Sequence, residues 1–266
     1  MTRDSATEKI VKTVGQLLII VALLLTWEGL AGGLGLGLKI LDPIFFSRPS
    51  LVAADLYKGF QAGEFTKDFF FTMQAAMWGL LVGMVSGILV GFLFAYVRWL
   101  YLLFEPLMVA LNSLPRPALG PVLSLILGLG IASKIVLSWS IVFFVVFYNT
   151  YAGIQSVDPD LIRAAKTMGS SKFRIFWHVI IPSVFSWVFA ALRVSVAFAL
   201  VGAVVGEFVG STQGLGYHME AARGVLNSNR VYSILVILMV VGVVLTEASK
   251  LIERRLLRWR APSPVI

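Results

Sequence analysis

Cysteine is absent from the 266 residues, which excludes disulfide bridges, thiol catalysis and thiolate-held metals. Charge is scarce: Asp, Glu, Lys and Arg make up 14% of the chain, where a soluble domain carries about 25%. The two histidines, His178 and His218, are far apart and lack the spacing of a metal site. No Ser/His/Asp arrangement and no carboxylate pair falls inside an apolar stretch, so no catalytic residue and no metal ligand is expected. A G-x-x-x-x-G-K-[ST] loop is also missing, so the chain cannot cradle ATP phosphates in that way. What remains is oil. Apolar residues make up 58%, more than a soluble globule of this size could bury, and this points to an integral membrane protein. The net charge of +8 suits an anionic membrane surface as well as nucleic acid, but its distribution favours membrane lipid, and no nucleic-acid partner is expected.

Runs of about 20 apolar residues place an all-α architecture of six spans at roughly 14–37, 70–97, 102–128, 134–154, 183–206 and 231–252. The first run is too long for a secretory signal and lacks a small-x-small cleavage site, so it reads as an anchor. With the N-terminus inside, the inner segments hold Arg3, Lys9, Lys12, Arg98, Arg163, Lys166, Lys172, Arg174, Lys250, Arg254, Arg255, Arg258 and Arg260, which is 13 of the 22 Lys and Arg. The outer segment 38–69 balances Lys39, Arg48, Lys58 and Lys67 with Asp42, Asp55, Glu64 and Asp68. This bias puts both termini on the cytoplasmic side of a cell inner (plasma) membrane. Three regions follow: 1–69, an anchor helix and extracytoplasmic segment; 70–252, a core; and 253–266, a basic tail.

The core contains one long polar insert, 155–182. Asp158 and Pro159 form a helix start, and Gly169 is a natural stop. Leu161, Ile162, Ala165 and Met168 share one face, and small Ala164 and Ala165 permit close approach by another surface. Ser170 or Ser171 can cap a second helix whose apolar stripe is Phe173, Phe176, Trp177 and Ile180, with Pro182 opening the next span. Two readings fit: an amphipathic hairpin lying on lipid, or a docking helix presented to a cytoplasmic partner.

Elsewhere, Gly79, Gly83, Gly87 and Gly91 recur every four residues with Ser86 alongside, a small-residue face on which another helix can pack closely. Gly29 and Gly33 are a weaker version. In "NSLPRPALGP", prolines around Arg116 and at position 121 remove backbone donors. Such interruptions survive at membrane depth where protein or a watery cavity satisfies them, so Asn112, Ser113 and Arg116 are candidates to line a path; the alternative is a kink whose Arg snorkels outward. Arg193 falls about 16 Å beyond Pro182 along a helix and needs an interior partner or a pathway. Glu207 lies near the outer end of the same helix. Glu28, Glu105 and Asn149 read as inter-helix or interface groups.

The insert resembles the signature loop of ATP-binding-cassette importer permeases: Glu-Ala-Ala, three residues, Gly, nine residues, Ile, one residue, Leu-Pro. Here Arg163-Ala164-Ala165, Gly169, Val179, Ile181 and Pro182 stand at that spacing, with Arg for the Glu and Val and Ile for Ile and Leu. "FFSRPSLVAADL" and "VGEFVGSTQGLGYHM" resemble the nitrate/sulfonate/taurine branch of these permeases. The resemblance implies a type I importer (MetI-like) permease fold and a coupling helix seated in a groove of a separate ATPase. On it, Asp158, Pro159, Leu161, Arg163, Ala164, Ala165, Met168, Gly169 and Pro182 form the ATPase-coupling loop. It implies two ATPase subunits that bind ATP-Mg while this chain holds no cofactor, a second permease subunit, identical (a homodimer) or related, and an extracytoplasmic solute-binding protein. The implied solute is a small anion such as nitrate, a sulfonate, taurine or an organic carboxylate. Arg193 and Glu207 resemble common family positions, which implies a structural or gating role, although Arg193 and Arg116 are also the obvious attractants for an anion. A nucleotide-independent secondary transporter or channel is the competing class, and it predicts inverted repeats that the two halves do not display. A structural scaffold would gain nothing from Arg193.

Overall fold

With no water in a bilayer to satisfy backbone N–H and C=O groups, helix is the local solution for long apolar runs. The structure is a computed structural model that describes residues 4–32 and 40–256, with side chains from residue 11 onward, and regular structure among the described residues is all helical. Helices run in order α1 (Asp4–Leu30), α2 (Pro43–Phe46), α3 (Pro49–Gln61), α4 (Glu64–Tyr96), α5 (Arg98–Ser113), α6 (Arg116–Leu127), α7 (Ile131–Gln155), α8 (Pro159–Thr167) and α9 (Lys172–Ile175). A π-helical turn, Phe176–Ile180, leads into α10 (Ile181–Val209), followed by α11 (Leu215–Gly224) and α12 (Ser228–Leu256). Arg3, Gly33, Lys39, Arg258 and Arg260, the end of the first expected span and the tail from 257 lie outside the described residues.

Among the described residues five helical stretches are long and apolar enough to cross a membrane: Val11–Leu30, Glu64–Tyr96, Ile131–Gln155, Lys172–Val209 and Ser228–Leu256. The third expected span, 102–128, is not one helix but the two shorter helices α5 and α6. Leu114 and Pro115 are both extended (ψ 130° and 110°): Leu114 stands directly before a proline, which drives it out of the helical region, and Pro115 is the extended cap that opens α6.

The chain forms two compact units, one drawn from Met1–Thr66 and His218–Ile237, the other from Lys67–Tyr217 and Leu238–Ile266. In the first, Arg230 pairs with Asp55 (3.2 Å) and Glu64 (2.6 Å) and lies 4.9 Å over the Phe65 ring. Glu28 accepts both the N–H (3.0 Å) and the hydroxyl (2.8 Å) of Ser50, so a carboxylate on α1 satisfies a free donor at the start of α3.

In the second unit the glycine track fixes a register. A Cβ added at Gly79, Gly83, Gly87 or Gly91 would strike Ser138, Val142, Val146 or Thr150 of α7, and the two numbers of every pair differ by the same 59. A constant difference means α4 and α7 run parallel, in step over three full repeats. On the other flank of α7, Gly153 meets Trp187, Gly202 meets Ser138 and Gly206 meets Lys134, and each pair of numbers adds to 340. A constant sum means α7 and α10 are antiparallel. The Ser138 hydroxyl donates to the Ala199 carbonyl (2.9 Å), and Trp139 Nε1–H donates to Ser86 Oγ (3.0 Å). Leu80, Val142, Val146, Ala199 and Ala203 fill the seams. Close van der Waals packing holds them, since lipid is as apolar as the helices.

Candidate functional site

The polar insert is built from its caps. Asp158 accepts the Asp160 N–H (2.8 Å), and Pro159 needs no donor at the first helical position. At the other end Gly169 adopts φ 77°, the Gly169 N–H bonds the Lys166 carbonyl (2.9 Å) and the Ser170 N–H bonds the Ala165 carbonyl (3.0 Å). This is the paired closure of a Schellman cap, which stops α8 after Thr167 and suits a residue without a Cβ. Arg163 pairs with Asp160 at 2.9 Å along the exposed surface of α8, a contact that contributes little stability. Ile162 and Ala165 are half-buried, whereas Leu161, Ala164 and Met168 are exposed, Met168 at 84%. The apolar residues of α8 therefore divide between two faces instead of sharing one.

The second helix of the insert departs from its expected stripe. Ser171 caps α9 by accepting the Arg174 N–H (3.3 Å), but the chain widens into the π turn at Phe176 and the side chains rotate. Ile175 is buried (5%), while Phe173 and Trp177 are exposed and pack against each other with centroids 6.1 Å apart. Phe176 packs edge-on against Phe92 (5.8 Å) and Tyr96 (6.0 Å) of α4, tying the insert to the end of that helix. Pro182 sits in the first turn of α10.

At the α5–α6 interruption the guanidinium of Arg116 donates to the Asn112 carbonyl (3.3 Å) and to Asn112 Oδ1 (3.2 Å), and lies 4.6 Å from the Phe144 ring centroid. Arg116 thus satisfies a carbonyl that α5 leaves free at its C-terminus. The Ser113 hydroxyl donates to the Val109 carbonyl (2.8 Å). Asn112 and Ser113 remain exposed and Arg116 half-exposed, so these three residues face a surface this chain does not cover. Arg193 is separate from them and forms an ion pair with Glu253 of α12. The remaining polar groups are local: Tyr101 donates to Glu105 (3.0 Å), and Asn149 donates to the Val145 carbonyl (2.8 Å).

Glu207 lies in a third place, 1% exposed, in a polar clasp. The N–H groups of Gly214, Leu215 and Gly216 donate in turn to Asp68 Oδ1 (2.6 Å), Thr72 Oγ1 (2.9 Å) and Glu207 Oε2 (2.7 Å). The Thr72 hydroxyl in turn donates to Glu207 (3.0 Å). Gly214 has φ 110°, and a Cβ at Gly214 or Gly216 would strike the Glu207 side chain, so the loop closes onto the carboxylate only with glycine at both positions. Beside it, fully buried Lys134 donates to the Leu129 carbonyl (2.9 Å), to Ser133 Oγ (3.1 Å) and to the carbonyl of Gly210, the residue that ends α10. Lys134, Asp68 and Thr72 carry no motif in sequence. The available signal was the four-residue spacing of Asp68 and Thr72, which puts them on one helix face, together with the glycine pair that follows Glu207.

A family model described as "Binding-protein-dependent transport system inner membrane component" matches residues 79–258. The riboflavin transport system permease protein RibX of Chloroflexus aurantiacus is 28% identical over 242 residues, 91% of this chain and 88% of that protein. The taurine transport system permease protein TauC of Escherichia coli is 25% identical over 227 residues, 84% of this chain and 82% of that protein. Among solved structures, an inward-facing form of the MetNI methionine ABC transporter aligns with a TM-score of 0.58 at 17% identity, covering 81% of this chain and 98% of that one, a likeness of fold.

Proposed function

The chain belongs to the binding-protein-dependent transport system inner membrane components, and from that premise we propose how this multi-pass importer permease works. The insert faces the cytoplasm, and α8 seats in a groove of a separate ATPase, which binds ATP-Mg and supplies the hydrolysis. The carrying observation is the exposed face of α8, Leu161, Ala164 and Met168, held out by an Asp158 cap and a Gly169 closure. Small Ala164 between two larger apolar side chains fits close approach by a partner. Two permease chains flank one path, a binding protein delivers the solute outside, and nucleotide-driven movement of α8 shifts the population between outward- and inward-open states.

Because the chain has no cysteine, Met168→Cys creates a single labelling site. A membrane-impermeant maleimide is expected to label it in inside-out vesicles and not in right-side-out ones, and added ATPase should protect it. Labelling from the outer side, or no protection at saturating ATPase, refutes the coupling reading.

The solute proposed is a small anion, supported by the half-exposed Arg116 beside exposed Asn112 and Ser113. A charge-assisted contact contributes roughly 1.5–3 kcal/mol, so Arg116→Gln should raise the half-saturating taurine or alkanesulfonate concentration about tenfold or more. The accompanying loss of one helix-end contact should lower Tm by only about 2–4 °C. Unchanged saturation in reconstituted uptake would remove Arg116 from the path.

A further inference from the structure

A cavity of about 540 Å³ opens behind the exposed face of α8, within the range of small-ligand pockets. Its apolar wall includes Ile162 of α8, Phe176 and Ile180 of the π turn, and Tyr96 at the end of α4; Lys166 and Lys172 supply its charge. Among the described residues neither lysine is in an ion pair: Asp160 is taken by Arg163 and Asp158 by the α8 cap. The cavity lies where two apolar spans end, and exposed Phe173 and Trp177 flank it as an aromatic pair. Aromatic side chains with amphipathic rings settle at the headgroup level of a bilayer. The inner leaflet is anionic, and lysines near it contribute attraction that a neutral lipid does not satisfy. We propose that this cavity is a binding site for an anionic phospholipid of the inner leaflet. Its phosphate lies between Lys166 and Lys172, and its glycerol and upper acyl region lie against Ile162, Phe176 and Ile180.

The placement rests on the cytoplasmic orientation of the insert proposed above. The separation of faces favours lipid over a segment of the ATPase: the residues offered to the ATPase are Leu161, Ala164 and Met168, and those lining the cavity are on the other side of α8. A lipid held there would touch α8, the end of α4, α9 and the π turn that leads into α10 together.

The test uses the full-length permease with its ATPase in nanodiscs, with phosphatidylglycerol titrated into phosphatidylcholine and retained lipid read by native mass spectrometry. Wild type is expected to retain phosphatidylglycerol in preference to phosphatidylcholine. The double variant Lys166→Gln/Lys172→Gln should weaken that retention about 25-fold, near fivefold for each lysine at an anionic surface. The charge-conserving Lys166→Arg/Lys172→Arg variant should retain it, which separates loss of the site from loss of fold. Equal retention of both lipids, or no effect of the Gln pair, overturns the proposal. So does full competition by soluble glycerol phosphate, which would make the site one for a free phosphate compound, and so does release of the ATPase with lipid retention unchanged, which would make it a protein dock. Labelling of Met168→Cys from the inside alongside failed lipid retention would sink this inference and leave the importer reading intact.

Discussion

Glu207→Ala is expected to cost the folded permease about 2–4 kcal/mol, because it strips acceptors from two buried donors at once. The Gly216 N–H and the Thr72 hydroxyl both terminate on Glu207 Oε2, and both bonds are buried. Thr72 also receives the Leu215 N–H, so its loss of orientation spreads to the next residue of the loop. In a chain of this length that cost corresponds to a Tm drop of about 5–15 °C in detergent. Glu207→Gln makes the sharper comparison. Its amide oxygen can accept both bonds in the same place, while its NH2 group takes the position of Oε1, which has no hydrogen-bond partner among the described residues. The Gln variant should therefore keep most of the stability that Ala loses. Equal loss in both would show that the negative charge, set beside buried Lys134, matters more than the acceptor geometry.

Gly87→Leu is expected to be as damaging, for a steric reason. Even a Cβ at this position would lie 2.8 Å from Val146 Cβ and 2.9 Å from the Phe143 carbonyl oxygen. A side chain can rotate away, but backbone cannot, so α4 and α7 must separate and surrender the contacts on both sides of the track. Overpacking of a close seam costs about 1–3 kcal/mol at one site, and here the separation is shared by Gly83 and Gly91, which places the loss at or beyond the upper end. Gly15→Leu is the control, since nothing lies within 4 Å of a Cβ there. The expected outcome in membranes is sharply reduced accumulation of the Gly87 variant beside normal levels of the Gly15 variant. Comparable accumulation of the two would contradict the parallel register.

The long spans were legible because each of α4, α7, α10 and α12 exceeds the length a bilayer demands, and nothing in water could replace that burial. The run at 102–128 reads equally apolar, yet hydropathy is blind to the pair of dihedrals at Leu114 and Pro115 that divides it. The stripe at Phe173, Phe176, Trp177 and Ile180 assumed 3.6 residues per turn, and the π turn violates that assumption where the stripe is read. The caps of α8 were visible because they act on residues two to five positions away. The clasp was not, because Asp68 and Thr72 meet Gly214 and Leu215 from 146 and 143 positions away. For the same reason no local pattern shows that 218–237 packs in one unit with the first helices.

The four glycines of α4 have a mechanical corollary. Each sits against its own residue of α7, so displacement by one or two positions drives bulk into bulk along the entire contact. The next commensurate setting is one repeat away, about 6 Å. Such teeth make the pair a rack with widely spaced detents: α4 and α7 travel as one plank, and any flexing demanded by the transport cycle is displaced to joints such as the Leu114–Pro115 break.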